Sequence, residues 1–137
     1  MTNNIKTICI FCGSCFGNDR VYIEKAEALG KLLAHENITL VYGGSNLGLM
    51  GVIADTVLEN NGKVIGVIPE HLENKGISHS KLTNLHISKT MNDRKAMMIE
   101  LSDAFIAMPG GFGTMDEITE VLSLNQLGII NNRQIQK

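Results

Sequence analysis

The stretch "ITLVYGGSNLGLMGVIADTVLENNGKVIGVI", residues 38–68, contains the unit that decides the fold. Its β-branched opening, 38–42, and its apolar close, 63–68, each read as a strand, and the segment 48–61 between them reads as a helix. Two strands joined through such a crossover run parallel. The near-continuous apolar run "VIGVI" fits a strand buried on both faces, as in a parallel sheet with helices above and below it.

The same alternation extends in both directions. Strands are predicted at 5–11, 84–88 and 103–108, and helices at 19–36, 90–101 and 114–128. In the first helix Tyr22, Ala26, Leu29 and Leu33 recur at spacings of four, three and four, a single face expected to pack on the sheet. The expected fold class is α/β, a doubly wound parallel sheet with helices on both faces, in a single domain spanning 1–137. The longest irregular stretch is 69–83, expected to be a loop or a lid.

Composition limits the function. A chain of 137 residues, 44% of them hydrophobic, suffices for one domain, burying roughly 65–70% of the surface its unfolded form exposes. A net charge of −2, with no Lys/Arg patch interleaved with aromatics, argues against nucleic acid as a partner. The start "MTNNIKT" lacks the pattern of a signal peptide, and no apolar run approaches the roughly 20 residues of a membrane span, so no membrane association and a cytoplasmic location are expected. Cys9, Cys12 and Cys15 fall as C-x-x-C-x-x-C, superficially part of an iron–sulfur run. There is no fourth cysteine, and side chains three apart on a strand point to opposite faces. The expectation is therefore a buried Cys9 with loop thiols at Cys12 and Cys15, and no metal ligand set.

In open parallel sheets ligands bind beyond the carboxyl ends of the strands. Three loops at those ends carry glycine: 13–17, 43–51 and 109–114. Their backbone amides, and the positive ends of the helices that follow, suit an anion, which makes a phosphate-bearing small molecule the natural ligand class. No G-x-x-x-x-G-K-[ST] occurs, which excludes a nucleoside-triphosphate P-loop. A dinucleotide-binding oxidoreductase is an alternative, with Glu70, 19 residues beyond Gly51, as the ribose-binding acid.

Two charged residues stand out near these loops. Thr114 and Glu117 match the capping box S/T-x-x-E, with Thr114 as N-cap; the competing reading puts the Glu117 carboxylate against a ligand's sugar. Ile118, Val121 and Leu122 would supply the core side of that helix. Met91, Arg94, Met98 and Leu101 recur at three, four and three, so Arg94 lies in line with an apolar stripe. It either snorkels from the core edge or presents its planar fork to the ligand. Lys95 is expected at the solvent or as a secondary phosphate contact, and Met97 and Met98 in the core.

"CIFCGS", "VYGGSNLGLMG", "MNDRKA" and "PGGFGTMDE" together resemble the Lonely Guy family, the phosphoribohydrolases that activate cytokinins. The hallmark of that family is P-G-G-x-G-T-x-x-E with an upstream Arg-Lys pair, and many members once bore the label lysine decarboxylase. The likeness runs from about residue 5 to about residue 132. It implies a Rossmann-like fold, a homodimer, and hydrolysis of the N-glycosidic bond of a cytokinin riboside or adenosine 5′-monophosphate to free base and ribose 5-phosphate, with no cofactor and no metal. The catalytic residues it implies are Arg94 and Glu117. The implied substrate contacts are Lys95, Gly110, Gly111, Phe112, Gly113 and Thr114, with Gly43, Gly44 and Ser14 from the other two glycine loops.

The resemblance departs at two places. Leu124 and Asn125 stand where many members have tryptophan and alanine, and after "LGIINN" the chain has "RQIQK" where the family continues with another strand and a C-terminal helix. The expectation is a domain lacking those elements, which keeps a nucleotide-binding module without catalysis as the alternative function. Lysine decarboxylation would need pyridoxal phosphate on a lysine, and nothing in the sequence singles out such a lysine.

Overall fold

Six strands and five helices follow one another in the computed structural model, which describes residues 5–13, 20–108, 112–126 and 134–136. The strands are β1 (Thr7–Phe11), β2 (Thr39–Tyr42), β3 (Val64–Pro69), β4 (Asn84–Ser88), β5 (Ala104–Ala107) and β6 (Gln134–Gln136). The helices are α1 (Arg20–His35), α2 (Gly48–Glu59), α3 (Glu70–Glu73), α4 (Met91–Leu101) and α5 (Phe112–Gln126). The strands form a single sheet in the order β4-β3-β2-β1-β5-β6, with every neighbouring pair parallel.

Alternation along each strand splits the interior into two cores. Ile10, Leu40, Tyr42 and Val64 face one core with α1 and α2, while Cys9, Phe11, Val41, Val67 and Phe105 face the other with α4 and α5. This is the doubly wound arrangement expected from the apolar runs. Cys9 and Cys12 consequently lie in opposite cores, and Cys12, read from sequence as a loop thiol, is buried.

The sheet grows from β1 through β2 and β3 to β4 on one side, and the chain then crosses back to place β5 and β6 on the other. Between β1 and β5 the direction of winding reverses, which leaves a crevice at their carboxyl ends. Met108 N–H donates to the Phe11 carbonyl there, closing the pair at the crevice.

Four details differ from the sequence reading. In α1 the expected face of Tyr22, Ala26, Leu29 and Leu33 does pack on the core, but Gly30 is buried as well, because α1 also packs on α2: a Cβ at Gly30 would lie 2.9 Å from the Thr56 Cβ. The stretch 69–83 contains the single turn α3 and then a clasp, in which Ser78 bridges Ser45 antiparallel and Asn46 N–H donates to the Ile77 carbonyl. In α5, Ile118 and Val121 join the core, but Leu122 is 36% exposed. Finally, a three-residue strand not predicted from the sequence, β6, lies beside β5, with Gln134 and Gln136 in register with Ala104 and Ile106. A Q-I-Q segment has no apolar run to announce a strand; the open edge of β5 supplies the backbone partners.

Candidate active site

The crevice holds a cavity of about 240 Å³. Its floor is the end of β1, with Phe11, Cys12 and Gly13; its walls are Gly43 after β2, Arg94 of α4, and Thr114 and Glu117 of α5. The Arg-Lys motif and the glycine-acid motif thus meet at the place where the topology reverses.

Arg94 gets there because Thr90 caps α4, its hydroxyl accepting the Asp93 N–H at 3.0 Å, so that the helix starts close to the strand ends. Arg94 is buried, at 8% exposure. Nε donates to the Val67 carbonyl at 2.8 Å and Nη2 to the Gly43 carbonyl at 2.7 Å. A carbonyl within β3 and one just past β2 therefore hold the cation, and the snorkelling alternative fails. Gly43 is required for this approach, since a Cβ at that position would lie 2.0 Å from Nη2. Burial pulls the Arg94 guanidinium below its ordinary value, and Glu117 opposes that pull.

Glu117 is displaced from its expected capping role because α5 begins at Phe112, two residues before the expected N-cap. Thr114 is buried inside the first turn, and Glu117 lies in the second, where it lines the cavity. Burial pushes the Glu117 carboxyl up to about 7, against the opposing attraction of Arg94. A carboxyl poised near neutrality beside a fixed cation is a typical catalytic pairing. Cys12 is no nucleophile: burial, reinforced by Glu117, pushes its thiol up to about 12.

The remaining candidates separate. Lys95 lies outside the cavity lining and joins the two site helices, its Nζ 2.9 Å from Asp116 and 3.5 Å from Glu120. Asp116, chiefly through that hydrogen bond, raises the ammonium above its ordinary value. Gly44 is also outside the lining; it takes a left-handed φ of 81°, and its carbonyl accepts the His79 N–H. The amides of Asn46 and Leu47 are spent on the Ile77 carbonyl and Ser45 Oγ, so this loop serves as a support for Arg94 more than as the anion cradle expected from its glycines. Phe112 and Gly113 open α5, whereas Ser14, Gly110 and Gly111 lie outside the described residues, as do Cys15 and Pro109. Met50 and Cys12 also line the cavity; nothing in their spacing set them apart from core residues. Glu70, the acid of the dinucleotide alternative, is exposed and outside the lining.

Comparison with known proteins gives the same location a chemical context. The family described as "possible lysine decarboxylase" matches residues 50–135. A cytokinin riboside 5′-monophosphate phosphoribohydrolase of Rhodococcoides fascians is 45% identical over 127 residues, covering 92% of this chain and 64% of that protein. One from Arabidopsis thaliana is 46% identical over 127 residues, covering 93% and 60%. The chain thus spans about three fifths of the length of these curated relatives. Among solved structures, the Moco carrier protein from Chlamydomonas reinhardtii superposes with a TM-score of 0.74 at 23% identity, covering 88% of this chain and 72% of that one. The molybdenum cofactor binding protein from Rippkaea orientalis gives a TM-score of 0.72 at 22% identity, covering 99% and 91%. At those identities the structural likeness speaks for the Rossmann-like fold alone.

Proposed function

This chain belongs to the family described as "possible lysine decarboxylase", as a Lonely Guy member related to the cytokinin phosphoribohydrolases, and from that premise we propose that it hydrolyses nucleoside 5′-monophosphates. The substrate class is a cytokinin riboside 5′-monophosphate, or AMP, and the products are free base and ribose 5-phosphate. The observation that carries this reading is the buried Arg94 beside Glu117 in one cavity at the topological switch point.

The N-terminus of α5, with Thr114 in the wall, receives the phosphate through its first-turn amides, which have no acceptor within the helix itself. One turn further on, Glu117 meets the sugar. As the bond between the base and C1′ breaks, its electron pair leaves with the base and positive charge develops on the sugar. The Glu117 carboxylate stabilises that charge and orients a water on C1′, whose oxygen forms the new bond while its proton ends on the base. Arg94 has two of its five N–H groups fixed by carbonyls and a third, on Nη1, directed at Met91 Sδ at 3.8 Å, and offers the remaining two to the ligand.

The family description does not fit decarboxylation here. Pyridoxal phosphate requires a lysine in the cavity, the described lining contains none, and Lys95 is held by Asp116 and Glu120.

Exposed Met91, Met115 and Leu122 on the two site helices support a homodimer in solution. No helix among the described residues is long and apolar enough to cross a membrane. The buried free thiols Cys9 and Cys12 suit a reducing compartment, supporting a cytoplasmic location.

Substitution tests the assignment. Glu117→Ala and Arg94→Ala are each expected to lower base release by at least about a hundredfold while far-UV circular dichroism stays unchanged. A folded Glu117→Ala protein with full turnover would refute the role given to the carboxylate.

A further inference from the structure

One buried titratable side chain takes no part in the chemistry above. His79 is 8% exposed and belongs to the clasp that follows α3. Its Nδ1 accepts the Lys81 N–H at 3.0 Å. A neutral ring that accepts at Nδ1 carries its proton on Nε2, and Nε2 lies 2.5 Å from Asp55 Oδ1 on α2. The ring therefore donates to Asp55, and both nitrogens are committed.

The backbone around the ring leads to the catalytic cation. His79 N–H donates to the Gly44 carbonyl at 2.8 Å, and Asn46 N–H donates to the Ile77 carbonyl at 3.0 Å. Between those bonds Ser78 bridges Ser45. The turn is pinned from within as well, since Tyr42 Oη donates to the Ser45 carbonyl at 2.8 Å. Immediately before Gly44 stands Gly43, whose carbonyl holds Arg94 Nη2. The turn thus has β2 at one end, α2 at the other, and the clasp across its middle; the His79 ring ties the clasp to α2.

We infer that His79 is a positioning residue: its hydrogen bond to Asp55 locks the clasp onto the Gly43–Asn46 turn and so fixes the carbonyl on which the Arg94 guanidinium rests. The inference rests on the role proposed for Arg94, but the bond network is testable without it. Small displacements of a catalytic group cost rate more than binding, because the chemistry needs its geometry and the ligand has other holds.

The test uses the whole chain with His79→Ala, Asp55→Leu and Asp55→Asn. Asparagine retains an acceptor oxygen where Asp55 Oδ1 lies; leucine removes it and keeps water from the ring. With isopentenyladenosine 5′-monophosphate as substrate, His79→Ala and Asp55→Leu are expected to lower kcat about tenfold or more with little change in KM, and Asp55→Asn to restore it. Hydrogen exchange measured by NMR gives a second readout. The Asn46 and His79 amides and the Arg94 Nη2–H, which rests on the Gly43 carbonyl, should exchange faster in His79→Ala and Asp55→Leu, while amides of β1 and β5 keep their rates.

Uniform acceleration across the sheet would show a purely structural role and overturn the inference, as would unchanged exchange at Arg94 Nη2. A wild-type chain that releases no base would defeat the proposed reaction alone, since the exchange arm still decides the positioning. Asp55 is exposed, so its variants supply the answer if His79→Ala does not fold.

Discussion

At the scale of single residues, Glu117 is held in a state that costs stability. Its carboxyl is raised from an ordinary value of 4.5 to about 7, first by burial. A group whose folded value is raised contributes stability that is fully present below the unfolded value and lost as pH rises through the folded one. The folded chain therefore gives up on the order of 2–3 kcal/mol between pH 4.5 and about 7 through this residue. Glu117→Gln imitates the protonated form and should melt higher than wild type above pH 7, with the two curves converging near pH 4.5. A constant difference at all pH values would contradict the burial account. Sequence alone left Glu117 between a helix cap and a catalytic acid, because both uses need an acid three residues after a threonine. Its desolvation and its approach to Arg94, 23 positions earlier in the chain, come from tertiary packing, which spacing does not encode.

At the scale of elements, the site is a problem of close approach between α4 and the end of β2. Gly43 solves it by omission: its absent side chain leaves the space that Arg94 Nη2 occupies. In Gly43→Ala the clash falls chiefly on the far end of a flexible side chain, so the fold should survive with a stability loss of about 1–3 kcal/mol. The guanidinium must move, however, and base release should fall by about a hundredfold. Thermal melting and turnover measured on one preparation check this; an Ala variant with wild-type turnover would show that the carbonyl contact does not matter. The helices and strands themselves were legible, because apolar runs and periodic faces report burial directly. The start of α5 and the clasp at 77–79 were not. The first depends on how the glycine loop enters the helix, and the second on hydrogen bonds between loops more than 30 residues apart, from Ser45 to Ser78.

At the scale of the whole molecule, the parallel order β4-β3-β2-β1-β5-β6 determines where chemistry can occur. At the β1/β5 boundary the winding reverses and leaves a gap, and Arg94 and Glu117 both line it. Alternating strands and helices announced the sheet, and the glycine loops after β1 and β2 marked the strand ends where the cavity lies. The sixth strand was hidden, since Gln134–Gln136 has edge pairing but no hydrophobic pattern to show for it. Support for function comes from relatives matched over about three fifths of their length, so the decisive question is whether this set of residues turns over a nucleotide. The most direct measurement is chromatographic: the purified chain is incubated with isopentenyladenosine 5′-monophosphate and, separately, with AMP, and free base and ribose 5-phosphate are quantified. Stoichiometric release of both products, lost in Glu117→Ala, is the expected result; a folded wild-type chain that binds either nucleotide and releases no base from it would contradict the proposed hydrolysis.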